Sequence, residues 1–267
     1  MFALVVKEIE RNKISFAIYC LISISIVFLY VSLFPSIQDQ SEQLSELMNT
    51  MPKAMMDAFG IDKDSFDSIE KYLAVELMSI FWPLLVILLS TSRAGACISG
   101  DIENRTLGLE LSLPISRIKI FISKFLGNWS ALFVFCCISI FSIAPICLIF
   151  GIEIEVSKVY ILFVHGLLFA TTVLSVGLLF SAFLSEKGKV FFSVGGILLV
   201  SYIANIVANL SSGFSWLKHF SIFYYYDTLE LLDSGKLNSS SVIFFSAVSL
   251  ISISFGLWKF RQRDIGI

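Results

Sequence analysis

Side chains able to do covalent or metal chemistry are scarce in this chain. It has two histidines, His165 and His219, and five cysteines. A nucleophile–base pair or a transition-metal site draws on such residues held close together. Neither histidine stands near a cysteine in the sequence, and no Cys-x-x-Cys pair occurs. A Gly-x-Ser-x-Gly elbow and a His-Glu-x-x-His pair are both missing. Cys20, Cys97, Cys136, Cys137 and Cys147 lie in or beside apolar runs, where a free thiol behaves as a small packed hydrophobe. We therefore assign no catalytic residue, no cofactor site and no metal ligand. His165 lies within an apolar run, toward its outer end. It is either a proton carrier (or the centre of an intramembrane enzyme) or a neutral ring hydrogen-bonded to a neighbouring helix.

A second kind of chemistry is docking. Between two apolar runs the chain carries Asp101, Glu103, Arg105, Thr106, Leu109, Leu113, Pro114 and Arg117. Acids in a first turn suit a helix start, so a short helix is expected from Ser99 or Asp101 onward. Ile102, Leu109 and Leu113 are expected to share its apolar face. An apolar anchor with a charged rim is how a helix lies in a partner's groove. No Gly-x-x-x-x-Gly-Lys followed by Ser or Thr exists in the chain. Any ATP-driven motor must then be a separate protein, with ATP and Mg in that partner.

The elements that hold these residues are apolar spans. Of 267 residues 57% are hydrophobic and 15% charged, and mean hydropathy is +0.86. A soluble domain carries about 25% charged residues, so the chain reads as an all-α integral membrane protein. A net charge of -2 without a basic patch speaks against nucleic acid. Apolar runs of membrane-crossing length, free of charge in their middles, predict six transmembrane helices: Ile14–Phe34 ended by Pro35, Leu73–Ile98 kinked at Pro83, Phe121–Phe150, Val159–Leu184, Val190–Leu210 and Val242–Trp258. Glu76 falls at the outer end of the second span. Arg93 falls near its inner end, where its stem can snorkel to water.

Residues 1–13 form either an interfacial helix, with Phe2, Val5, Val6 and Ile9 on its apolar face, or the wet start of the first span. No small-residue cleavage site follows that run, so no cleaved signal is expected. The acidic segment 35–71 is expected to form short outer helices. Leu44, Leu47, Met48 and Met51 recur at helical spacing, Pro52 starts a second helix with Met55, Met56 and Phe59, and Gly60 stops it. The methionines either pack or face a substrate. Asp67 with Glu70 forms a capping box for the next helix. Segment 211–241, rich in Trp and Tyr, is expected to dip into the interface without crossing. Thirteen of the 19 Lys and Arg lie on the side of the termini, region 93–124 and the turn 185–189. Positive loops stay inside, so both termini are expected in the cytoplasm and the protein in the plasma membrane.

The 100–117 residues resemble those of a known family. ABC-2 type permeases, the membrane subunits of bacterial ATP-binding-cassette exporters, carry a first cytoplasmic loop reading Gly-Glu-x-Glu-x-Gly-Thr-Leu-Glu-Leu-Leu-Leu-Ser-Leu-Pro-Ile-Ser-Arg. Gly100, Asp101, Glu103, Thr106, Leu107, Leu109, Leu111, Ser112, Leu113, Pro114, Ile115, Ser116 and Arg117 match, as does Lys124 further on. Arg105 stands where the family has Gly, and Gly108 and Glu110 where it has Glu and Leu. The six-span layout resembles the same family over the whole chain, 1–267, as one permease domain. The resemblance implies a coupling region at 99–124 between the second and third spans. It implies P-loop ATPase subunits and a second permease subunit as partners, membrane lipid around the spans, and a substrate path driven by the partners' ATP. The alternative is a non-transporting sensor or scaffold whose outer segments bind a ligand.

Overall fold

The computed structural model describes residues 2–40, 43, 66, 68–210 and 212–264. Among them every regular element is helical. The chain runs α1 (Phe2–Glu10), α2 (Lys13–Gln38), α3 (Ile69–Cys97), α4 (Ser99–Glu103), α5 (Leu107–Leu111), α6 (Arg117–Ile149), α7 (Val156–Phe183) and α8 (Lys187–Leu210). A 3₁₀ turn at Ser212–Phe220 follows, then α9 (Ile222–Tyr225), α10 (Thr228–Ser234) and α11 (Ser239–Gln262). Six of these, α2, α3, α6, α7, α8 and α11, are long and apolar enough to cross a membrane. A rise of ~1.5 Å per residue carries each across ~30 Å of hydrocarbon.

The long helices overrun the apolar runs at several ends. Lys13, Arg117, Lys187 and Gln262 are helical, because a charged side chain at a span's end reaches water without breaking the backbone ladder. Pro35 does not end α2, which continues to Gln38. Its ring removes one hydrogen bond, and the next turn forms beyond it, with the Asp39 N–H donating to the Pro35 carbonyl. In α3, residues Leu73–Phe81 are wound as a π-helix directly before Pro83. The irregularity expected at Pro83 is this wider winding, which accommodates a residue that cannot donate. In α6, Pro145 lies four residues after Phe141, where the helix breaks before resuming at Ile143. Ser68 caps α3, accepting from the Lys71 N–H at 3.3 Å. Asp67 and the Met-rich segment lie outside the described residues.

Helix α7 is the centre of the bundle, packed by α11, α3, α6 and α8. Close approach rests on small residues, as between membrane helices generally. At Gly166 a Cβ would stand 2.6 Å from the Trp82 ring of α3. On the other side Thr172 meets Ser249 of α11 at 3.1 Å. Both described ends of the chain lie on one face, called here the terminal face: Arg263 bonds the end of α7, and α1 packs on the start of α6. Segment 212–238 lies at the opposite, distal face.

Candidate functional site: the connector and its charged root

Helix α1 is a separate element, set off from α2 by Asn12 in the left-handed region (φ 58°), which asparagine tolerates. Its apolar residues turn away from the bundle, as an interfacial helix requires. Phe2 is 82% exposed and Ile9 faces out, while Glu8, only 1% exposed, is the buried residue. The reason is α6. Gly127 leaves a notch there in which a Cβ would stand 2.5 Å from that of Glu8. The Glu8 carboxylate enters the notch because cations wait inside it.

Lys124 of α6 is one of them, and it is 1% exposed. Its ammonium donates to Asp101 at 2.5 Å, to Glu8 at 3.1 Å and to the Cys97 carbonyl at 3.1 Å. Those three bonds use all three protons. Glu110 of α5 lies 2.9 Å away as a fourth, purely coulombic neighbour and accepts instead from Lys7 at 2.8 Å. Atoms of Glu8, Asp101 and Glu110 lie within 4.8 Å of one another, a spacing that a divalent cation could bridge. The ammonium stands among them. Arg11 adds a bond to Asp101 at 2.5 Å. Burial alone would lower the Arg11 pKa, but Glu8 and Asp101 outweigh it and hold it above its ordinary value.

Arginines on this face also finish one another's helices. Arg11 donates to the Ala96 carbonyl at the end of α3 (2.6 Å). In return Arg93 of α3 donates to the Glu8 and Arg11 carbonyls at the end of α1 (2.7 and 3.3 Å) and to Asn128 (3.0 Å). Arg93 therefore turns into the bundle instead of snorkelling. Arg117 reaches the Arg263 carbonyl after α11 (2.6 Å), and Arg263 the Ala182 carbonyl of α7 (2.8 Å). Burial lowers the Arg263 pKa. A helix C-terminus presents unpaired carbonyls and partial negative charge, so a guanidinium satisfies both at once.

The connector hangs from this root. It is two short helices, α4 and α5, instead of one. Between them Arg105 adopts φ 58°. The Thr106 N–H donates to the Asp101 carbonyl and the Arg105 N–H to that of Ile102 (2.8 and 3.0 Å). That is a Schellman end, whose left-handed residue is usually glycine. Ile102 packs against the core, so it does not share a face with Leu109 and Leu113. Glu103 accepts from the Lys187 N–H at the start of α8 (3.0 Å), and Ser99 bonds Ser181 of α7. The Thr106 hydroxyl donates to Asp101 at 3.2 Å. Of the eight residues singled out in the sequence, Asp101, Glu103, Thr106 and Arg117 are thus bonded within the molecule. Arg105 and Pro114 are exposed, with Leu109 73% and Leu113 44% exposed.

The sequence reading missed Glu8, Lys7, Arg11, Arg93 and Glu110 as parts of this site. Glu110 was legible as a departure from the apolar pattern, and here it is the carboxylate that draws Lys7 over the connector. At the distal face His165 lacks the expected hydrogen bond from a neighbouring helix: among the described residues neither ring nitrogen has a partner. His165 stacks on Tyr226 (centroids 5.2 Å apart) and meets Phe245 edge-on. Tyr226 stacks in turn on Trp82.

Six apolar spans with a polar connector on the face of both chain ends define a multi-pass membrane protein. The family model described as ABC-2 family transporter protein matches residues 6–265, and the chain belongs to that family. No curated protein matches the sequence.

Proposed function

We propose that this chain is the permease subunit of an ATP-driven exporter, and that it docks a separate P-loop ATPase through the connector. In this reading the terminal face is cytoplasmic in the plasma membrane. ATP and Mg belong to the partner, and a second permease subunit, identical or not, completes the path. The carrying observation is the division of labour within the connector. Its carboxylates are bonded to Lys7 of α1, Arg11, Lys124 of α6 and the start of α8, and Ser99 to α7, while Leu109, Leu113 and Pro114 remain exposed beside Arg105. An apolar ridge on a rigid polar root suits a groove contact whose push is transmitted to several spans at once.

Co-purification with the ATPase tests it. Burying a leucine is worth about 1.5–3 kcal/mol, so Leu109→Ala with Leu113→Ala is expected to weaken the pairing at least about ten-fold. Unchanged pairing and unchanged ATP-dependent transport in that double variant would remove the docking role. Orientation is checked apart, with a cysteine at Asn104: labelling from outside intact cells by an impermeant reagent would reverse it.

A further inference from the structure

The connector divides its charges by sign. Asp101 and Glu110 turn into the bundle and are each 4% exposed. Glu103 is exposed, but its carboxylate is held by the Lys187 N–H at 3.0 Å. The cations on either side of the leucine ridge are left facing out. Arg105 and Lys119 are exposed, and among the described residues both are bonded through their backbones alone. The surface offered to a partner is therefore apolar and positive, with no free carboxylate of its own among the described residues.

Arg105 is the more telling of the two cations. It stands at φ 58°, where glycine or asparagine fits with less strain. Arg11, Arg93, Arg117 and Arg263 each donate to carbonyls at a helix end, whereas the Arg105 guanidinium, at the end of α4, donates to none among the described residues. A strained, exposed side chain without an internal bond points to a use outside the molecule. A guanidinium on a fixed turn suits a fixed planar acceptor, because its fork grips a carboxylate through two parallel bonds. A lipid phosphate is met as well by a flexible lysine, and Lys13 and Lys119 are exposed on ordinary helical backbone. We propose that the groove of the ATPase that takes the connector carries a carboxylate at its rim, and that Arg105 pairs with it. The leucines then supply the anchor, and Arg105 selects the partner by charge. This inference rests on the docking reading above.

The test uses the full chain in phosphatidylcholine nanodiscs and the ATPase that co-purifies with the parent chain. Pairing affinity is measured over a salt series for the parent, Arg105→Asn and Arg105→Glu, with the thermal midpoint of each as a check on folding. Asparagine tolerates the left-handed turn and removes only the charge. Arg105→Asn is expected to weaken pairing about three-fold or more, and Arg105→Glu about ten-fold or more, with both differences shrinking as salt rises. Unchanged affinity and salt dependence in both variants would overturn the proposal. If the Leu109→Ala, Leu113→Ala protein still loses its partner, that result leaves the docking reading standing. Should the leucine variant also pair like the parent, or no ATPase co-purify, both readings fall. A loss seen only in discs containing phosphatidylglycerol would assign Arg105 to anionic lipid and overturn the proposal as well.

Discussion

At the terminal face Lys124 has three ammonium protons, and each finds an acceptor within 3.1 Å. At the distal face His165 has one donor and one acceptor, and neither finds a partner among the described residues. Both side chains are equally buried. The difference lies in what packs on them. Lys124 is surrounded by helix ends, which offer free carbonyls and tolerate charged residues from α1, α3, α4 and α5. His165 is surrounded by aromatic rings and a cavity. The ammonium, with all three protons bonded, rigidifies the helices it joins, whereas the imidazole holds its place by ring packing. The first region therefore reads as a mechanical root and the second as aromatic packing around an imidazole left unbonded among the described residues.

The comparison breaks most directly at Lys124. Lys124→Met keeps the volume but leaves Glu8, Asp101 and Glu110 facing one another without their shared cation. Removing one member of a buried ion cluster costs about 3–5 kcal/mol. The expected result is loss of monodisperse protein on heating in detergent, together with protease access to α1. Adding Asp101→Asn should restore part of the loss, because the two groups are coupled. A Lys124→Met protein as stable as the parent would mean that the root is not rigid.

Arg105 sharpens the same region with a smaller effect in the opposite direction. A non-glycine residue in the left-handed region carries a cost of roughly 1–2 kcal/mol, partly offset by glycine's greater freedom in the unfolded chain. Arg105→Gly is expected to stabilise the α4–α5 turn by up to about 1 kcal/mol, visible as slower hydrogen exchange at the Thr106 amide. It would also show whether Arg105 serves docking: unchanged ATPase pairing would leave the leucines as the whole contact.

Much of this architecture could be read from residue order, and the limits fall where physics is non-local. Hydropathy found all six long helices, because membrane length and missing charge are properties of a window. Ends were misjudged at Pro35 and at Gln262, where the helix continues beyond the apolar run. The arginines and lysines of the terminal face were legible as an orientation signal, but their acceptors were not. Arg11 meets Asp101 90 positions away, and Lys124 meets Glu8 at a distance of 116. The break at Arg105 could be read only as a departure from a family glycine. The open state of His165 had no local sign at all, since its neighbours Tyr226 and Phe245 come from distant segments.

The smallest expected effect belongs to His165, and it separates the two regions most cleanly. If His165 were structural in the manner of Lys124, replacing it would cost several kcal/mol. Among the described residues its nitrogens make no bond that a substitution could remove, and an unsatisfied buried polar group is itself worth about 1–3 kcal/mol of destabilisation. Phenylalanine has a similar flat ring and can keep the stack on Tyr226 and the edge contact with Phe245. His165→Phe should therefore leave the thermal midpoint of the protein unchanged or slightly raised, within about 1.5 kcal/mol as for volume-conserving core exchanges. A marked fall would show that the imidazole is bonded in the membrane after all, and would place the distal face under the same rule as the terminal one.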